Sequence, residues 1–174
     1  MIRSAACAAA LFTLAMPALA GPDAFQPGTV VPDFGKIAVP EGVTLPADTV
    51  MKVAFDIGEA GPDDAISRRL ETPARFLNMH AAAGVDPENL HVALIVHGAA
   101  GKDLMNDEAR GGPNPNAPLI AELLAAGAKI ELCGQTSAMR DIAAEDLLPG
   151  ITIGLSSMTA HALLQQEGYT LNPF

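Results

Sequence analysis

The sequence predicts a single-domain, three-layer α/β fold: a mostly parallel sheet covered by helices and preceded by an extended proline-rich arm. Three observations carry this. From residue 49 onward, strand-like and helix-like segments alternate in the order β-α-β-α-β-α-β-α, which builds parallel sheets through helical crossovers. The run from Leu90 to Val96 is apolar almost throughout, as expected of a strand buried on both faces. Finally, setting 20 leader residues aside from 174 leaves 154, enough for one hydrophobic core and close to the common domain size of about 100 to 150 residues.

The elements follow in order. Residues 1–20 read as a secretory signal. Arg3 gives a short basic start, residues 5–16 are almost wholly apolar, and Ala18-Leu19-Ala20 is a small-x-small cleavage pattern before Gly21. The apolar run falls short of the roughly 20 residues that a membrane span needs. No later stretch of that length avoids charges and glycines, so the expected product is a soluble, exported, periplasmic protein with no membrane partner. Cys7 stands before the hydrophobic region, against the order of a lipoprotein anchor. In residues 21–48, Pro22, Pro27, Pro32, Pro40 and Pro46 interrupt any helical or strand period, which predicts an extended arm. Its scattered Phe25, Val30, Val31, Phe34, Ile37 and Val39 suit packing along the domain or along a neighbouring subunit.

The domain proper is expected over residues 49–174. Residues 49–57 read as a first strand, 73–83 as a helix closed by Gly84, and 90–96 as the central strand. A long connection at 98–118 precedes a helix at 119–126, stopped by Gly127. Strands at 128–132 and 151–155 then alternate with helices at 137–145 and 157–167, and residues 169–174 form a final short strand or pack on the surface.

Composition narrows the function. The formal charge of −10 becomes −11 once Arg3, the one charged residue of the leader, is removed, which opposes binding to nucleic acid or anionic lipid. With Cys7 in the leader, Cys133 is the one remaining cysteine, so no intramolecular disulfide forms. A lone thiol is unusual in an oxidising compartment, where small domains pair their cysteines. Cys133 is therefore either buried and inert or there to react.

Chemistry in open α/β sheets gathers beyond the carboxyl ends of the strands. That rule collects Asp56 from the first strand, His97-Gly98 from the second, Cys133-Gly134-Gln135-Thr136 from the third and Ser156-Ser157 from the fourth. A thiol just before a helix N-terminus meets unpaired N–H groups and the positive end of the helix dipole, both of which favour thiolate. His97 is placed to pair with that thiolate or to shuttle its proton, the alternative being an imidazole that caps the strand end. Gly98, Gly134, Gln135 and Ser156 complete the candidate ligand-binding rim, and the two serines also suit capping of the last helix. His91, within a strand, and His80, on a helix, read as structural or solvated, and His161 as a helix-face residue. Cys133, His97 and His161 are chemically suited to zinc or copper, but no tight ligand spacing supports a site, so no metal and no cofactor is expected. Residues 97–103 lack the spacing of a phosphate loop, and Ser156-Ser157 lacks the G-x-S-x-G elbow.

Several of these segments together match a known pattern. Val96-His97-Gly98, residues 114–120, Gly127 before the strand to Cys133-Gly134-Gln135-Thr136, the Leu148-Pro149-Gly150-Ile151 turn and the closing residues 164–169 resemble the exported branch of the DsrE/DsrF-like family. The resemblance implies a parallel-rich α/β fold, homo-oligomers such as trimers or hexamers, and a cysteine that carries sulfur as a persulfide, a role that falls here on Cys133. It also implies a sulfur donor or acceptor protein as partner. Three readings stand side by side: a sulfur-carrier or thiol-redox protein centred on Cys133; a non-catalytic oligomeric module for a small ligand or metal, with Cys133 structural; and an assembly protein whose arm docks on a neighbour.

Overall fold

The computed structural model describes residues 21–172. The leader expected at residues 1–20, with Cys7, lies outside the described residues, as do positions 173–174. The strands are β1 (Met51–Ile57), β2 (Leu90–Val96), β3 (Lys129–Cys133), β4 (Thr152–Gly154) and β5 (Thr170–Asn172). The α-helices are α1 (Arg68–Ala82), α2 (Asp107–Arg110), α3 (Ala117–Ala125), α4 (Gly134–Arg140) and α5 (Ser157–Gln166). All five strands run parallel in the order β4-β3-β2-β1-β5.

This order explains the layers. Crossovers that step from β1 to β4 in one direction keep their helices on one face, and the return to β5 puts α5 on the other, because parallel crossovers share one hand. Val53, Phe55 and Ile57 of β1, Val92, Leu94 and Val96 of β2, and Ile130 and Leu132 of β3 pack with Leu70, Ala74 and Leu77 of α1 and Leu119, Ile120 and Leu123 of α3. Each buried Val, Leu, Ile or Phe among them contributes about 1.5–3 kcal/mol. The opposite face is thinner: Ala54, Ala93 and Ile95 meet Ala160 and Leu164 of α5, with Tyr169 beside them. Alternation along the strands assigns Asp56, His97, Glu131 and Cys133 to that second face, at or near the carboxyl end.

Several boundaries differ from expectation for local reasons. α1 begins at Arg68 rather than Pro73, because Leu70, Pro73, Ala74 and Leu77 form one buried stripe of helical period that outweighs the single N–H lost at proline. α4 begins directly after Cys133 rather than at Ser137, and it ends where Asp141 turns left-handed at φ 53° rather than running to residue 145. The connection at 98–118 contains a 3-10 helix (Gly98–Leu104) and α2, organised around the buried Asp103, Asn114 and Asn116. Asn114 Nδ2 donates to the carbonyls of Asp103 and Met105, at 2.9 and 2.7 Å.

The arm lies against its own domain. Val31 is fully buried in the main core. Asn78 of α1, also fully buried, accepts from the N–H groups of Val30 and Val31 and donates to the carbonyls of Val31, Phe34 and Gly35. Glu71 and Glu122 accept from the N–H groups of Gly35 and Asp33, so both α1 and α3 hold the strap.

Candidate functional site

Cys133 is both the last residue of β3 and the N-cap of α4, with extended backbone (φ −59°, ψ 121°). The adjoining Gly134 is required by space. A Cβ there would run into the Gly154 carbonyl and lie 3.0 Å from that of Leu155, so a side chain would push α4 away from β4. The close approach lets Gln135 Nε2 donate to the Leu155 carbonyl at 3.2 Å. The start of α4 is thereby tied to the loop that leads into α5.

The thiol is covered, at 4% exposure, and makes no short capping bond to its own helix. Burial pushes it up, but the N–H groups of Ser157, Thr136 and Gln135 and the Thr136 hydroxyl together pull it down further. The net position lies below that of an ordinary thiol. Two helix N-termini thus supply the anion stabilisation, α4 through Gln135 and Thr136 and α5 through Ser157. The direction of the Thr136 hydroxyl is fixed from its other side: the Gly98 N–H donates to Oγ1 at 2.9 Å, leaving the hydroxyl proton for the sulfur.

His97 takes a different place from the thiol pairing its position suggested. Its ring lies over Gly58, where a Cβ would come 2.6 Å from Cε1, and its Nε2 lies 3.2 Å from Asp56 Oδ2. The groups that shift Cys133 come from α4 and α5 instead. Asp56 also holds His161, with Oδ1 2.8 Å from Nε2. Burial raises the Asp56 carboxyl, yet hydrogen bonds and charge from the two imidazoles bring it below the usual range. An ionised carboxylate only accepts, so both Nε2 atoms donate to it.

The remaining rim residues have defined tasks. Ser156 caps α5, accepting from the Thr159 N–H at 3.0 Å, and Gly98 reaches its left-handed φ of 56° to aim its N–H at Thr136. Glu131, two residues before Cys133 on the same face, is raised by burial and packs over Gly154. It borders a cavity of about 520 Å³ between α5 and strands β2–β4, whose walls include Ala93, Ile95, Ile130 and Leu164. Met139, Leu155 and Met158, on the segments bracketing Cys133, are 84%, 72% and 78% exposed. Among the described residues, no three His, Cys, Asp or Glu side chains are grouped to hold a metal ion, and no helix is long and apolar enough to cross a membrane.

Asp56, His161, Thr136 and Ser157 are neighbours in the candidate site whose partners the sequence does not give. Asp56 and Ser157 were placed on the rim by topology, and Thr136 by the turn after Cys133, but without partners. The signal for His161 was its spacing, one helical turn after Ser157.

Comparison with known proteins places the chain. A family model described as the DsrE/DsrF-like family matches residues 51–173. Similar solved structures include two, the first of which shares the fold. One is a protein of unknown function, MTH1491, from Methanobacterium thermoautotrophicum, with 21% identity and a TM-score of 0.56, the match covering 71% of this chain and 99% of that one. The other is the ychN protein from E. coli, with 19% identity and a TM-score of 0.47, covering 72% and 100%. No curated protein matches.

Proposed function

The chain belongs to the DsrE/DsrF-like family, whose membership points to sulfur relay, and on that premise we propose that it is a periplasmic sulfur carrier that holds sulfur as a persulfide on Cys133. The observation that carries this reading is the place of Cys133 between the end of β3 and the N-terminus of α4, where the N–H groups of Gln135, Thr136 and Ser157 and the Thr136 hydroxyl favour its ionisation. A persulfide carries its charge on the outer sulfur, about 2 Å beyond Sγ, so these donors act on the thiolate that attacks the donor and is released to the acceptor.

The chemistry balances without a cofactor. The Cys133 thiolate attacks the outer sulfur of a persulfide donor, R–S–SH. A new S–S bond forms at Cys133, the donor's S–S bond breaks, and R–S⁻ leaves with the electron pair. An acceptor thiolate then attacks the outer sulfur of Cys133–S–SH and regenerates the Cys133 thiolate. Persulfidation is among the reversible modifications of a poised cysteine.

The exposed Met139, Leu155 and Met158 supply an apolar surface suited to a donor or acceptor protein, or to a second copy in a trimer or hexamer. Intact mass after incubation with a polysulfide tests the carrier role: wild type gains sulfur, and Cys133→Ser gains none. A second reading, a non-catalytic binding module with Cys133 structural, draws support from the cavity beside α5. Under it, Cys133→Ser retains the full activity of the protein and wild type takes up no sulfur.

A further inference from the structure

The carboxyl edge of the sheet carries a polar cluster that sulfur transfer does not touch directly. One carboxylate, Asp56 of β1, is bonded to His97 after β2 at 3.2 Å and to His161 of α5 at 2.8 Å. His161 stands four residues after Ser157, one turn along the same helix, and the Ser157 N–H faces the Cys133 sulfur. The apolar seat beneath α5 is narrow: Ala160 and Leu164 against Ala54, Ala93 and Ile95. Met158 and Leu163 of the same helix point outward, at 78% and 53% exposure. With Ala160 and Leu164 as its buried side chains, α5 makes few apolar contacts with the sheet, so polar ties add to what positions its first turns.

We infer that Asp56 and His161 are positioning residues: their pairing sets where the first turn of α5 sits, and so aligns the Ser157 N–H with the Cys133 sulfur. The thiolate population on β3 is then governed from β1, two strands away. The inference rests on Cys133 as the reacting group, but not on the identity of what it carries.

Asp56→Asn and His161→Phe separate this from simple electrostatics. The groups facing Asp56 are His97 from β2 and His161 from α5, and Glu131 of β3 lies on the same face. Removing a nearby negative charge would by itself favour a second anion and make the thiol more acidic. Loss of the Ser157 alignment acts in the opposite sense. The readout is the rate of iodoacetamide alkylation as a function of pH, with thermal melting to verify the fold. Both variants are expected to titrate at higher pH than wild type and to react about three- to tenfold more slowly at a pH below the midpoint. A midpoint unchanged or lowered in either folded variant overturns the inference. If Asp56→Asn fails to fold, His161→Phe and His161→Gln, which leave the Asp56–His97 bond in place, decide the matter. The assay uses no sulfur donor, so failure of sulfur loading would refute the carrier role while leaving this coupling to stand or fall by itself.

Discussion

Replacing Thr136 with valine removes one oxygen and keeps the shape of the side chain. The consequence is twofold, because Oγ1 stands between the Gly98 N–H, 2.9 Å away, and the Cys133 sulfur. On the sulfur side, one of four donors is lost. A hydrogen bond to a charged group is worth about 1.5–3 kcal/mol, so the thiolate population at a pH below the midpoint should fall by about tenfold or more. On the other side, the Gly98 N–H is left without its acceptor, at a cost of about 1–3 kcal/mol in stability. Alkylation of the folded protein across pH measures the first effect, and urea denaturation the second. Unchanged alkylation kinetics, with or without a loss of stability, would refute the claim that the hydroxyl faces and stabilises the sulfur anion.

Three further outcomes follow from the same geometry. Gly134→Ala should destabilise by about 1–3 kcal/mol, as overpacking does, because the new methyl meets the Gly154 carbonyl, a backbone atom that cannot swing aside; a melting temperature equal to wild type would contradict that packing. Asn78→Ala should cost about 3 kcal/mol or more and make residues 26–37 sensitive to protease, since it leaves two N–H groups and three carbonyls of the arm without their partner; an arm that stays protected would show that Val31 alone holds it. The depressed thiol also links stability to pH. A group whose folded pKa lies below its unfolded value stabilises fully above the unfolded value, about 8.5 for cysteine, and loses that contribution as pH falls through the folded value. Wild type should therefore gain stability over Cys133→Ala as pH rises toward and past about 8.5, a comparison that denaturation at several pH values makes directly.

The order of elements was legible because periodicity and burial agree. β2 matches its expected bounds residue for residue, since a central parallel strand is apolar on both faces and so contrasts with everything around it. The starts of α1 and α4 were harder to read, for local reasons. Pro73 signals a helix start by its own chemistry, while the buried stripe that extends α1 back to Arg68 is a tertiary fact. Gly134 reads as a turn, although it is there to let α4 approach β4. In the site, topology was enough to put Asp56, His97, Cys133 and Ser156 on one edge. Pairings such as His161 with Asp56, 105 residues apart, or Asn78 with Val31, 47 apart, depend on helix rotation and arm path, which no local pattern encodes. His97 illustrates the limit: the sequence brought it beside Cys133, while the turn of its ring toward Gly58 gave it to Asp56.

The most direct test of the account is sulfur uptake and release at Cys133, followed by intact mass on the folded protein. Wild type treated with a polysulfide should gain sulfur that maps to Cys133 and lose it on addition of a small acceptor thiol, while Cys133→Ser should gain none. A wild-type protein that alkylates readily yet takes up no sulfur, or a serine variant that takes up as much, would contradict the carrier role.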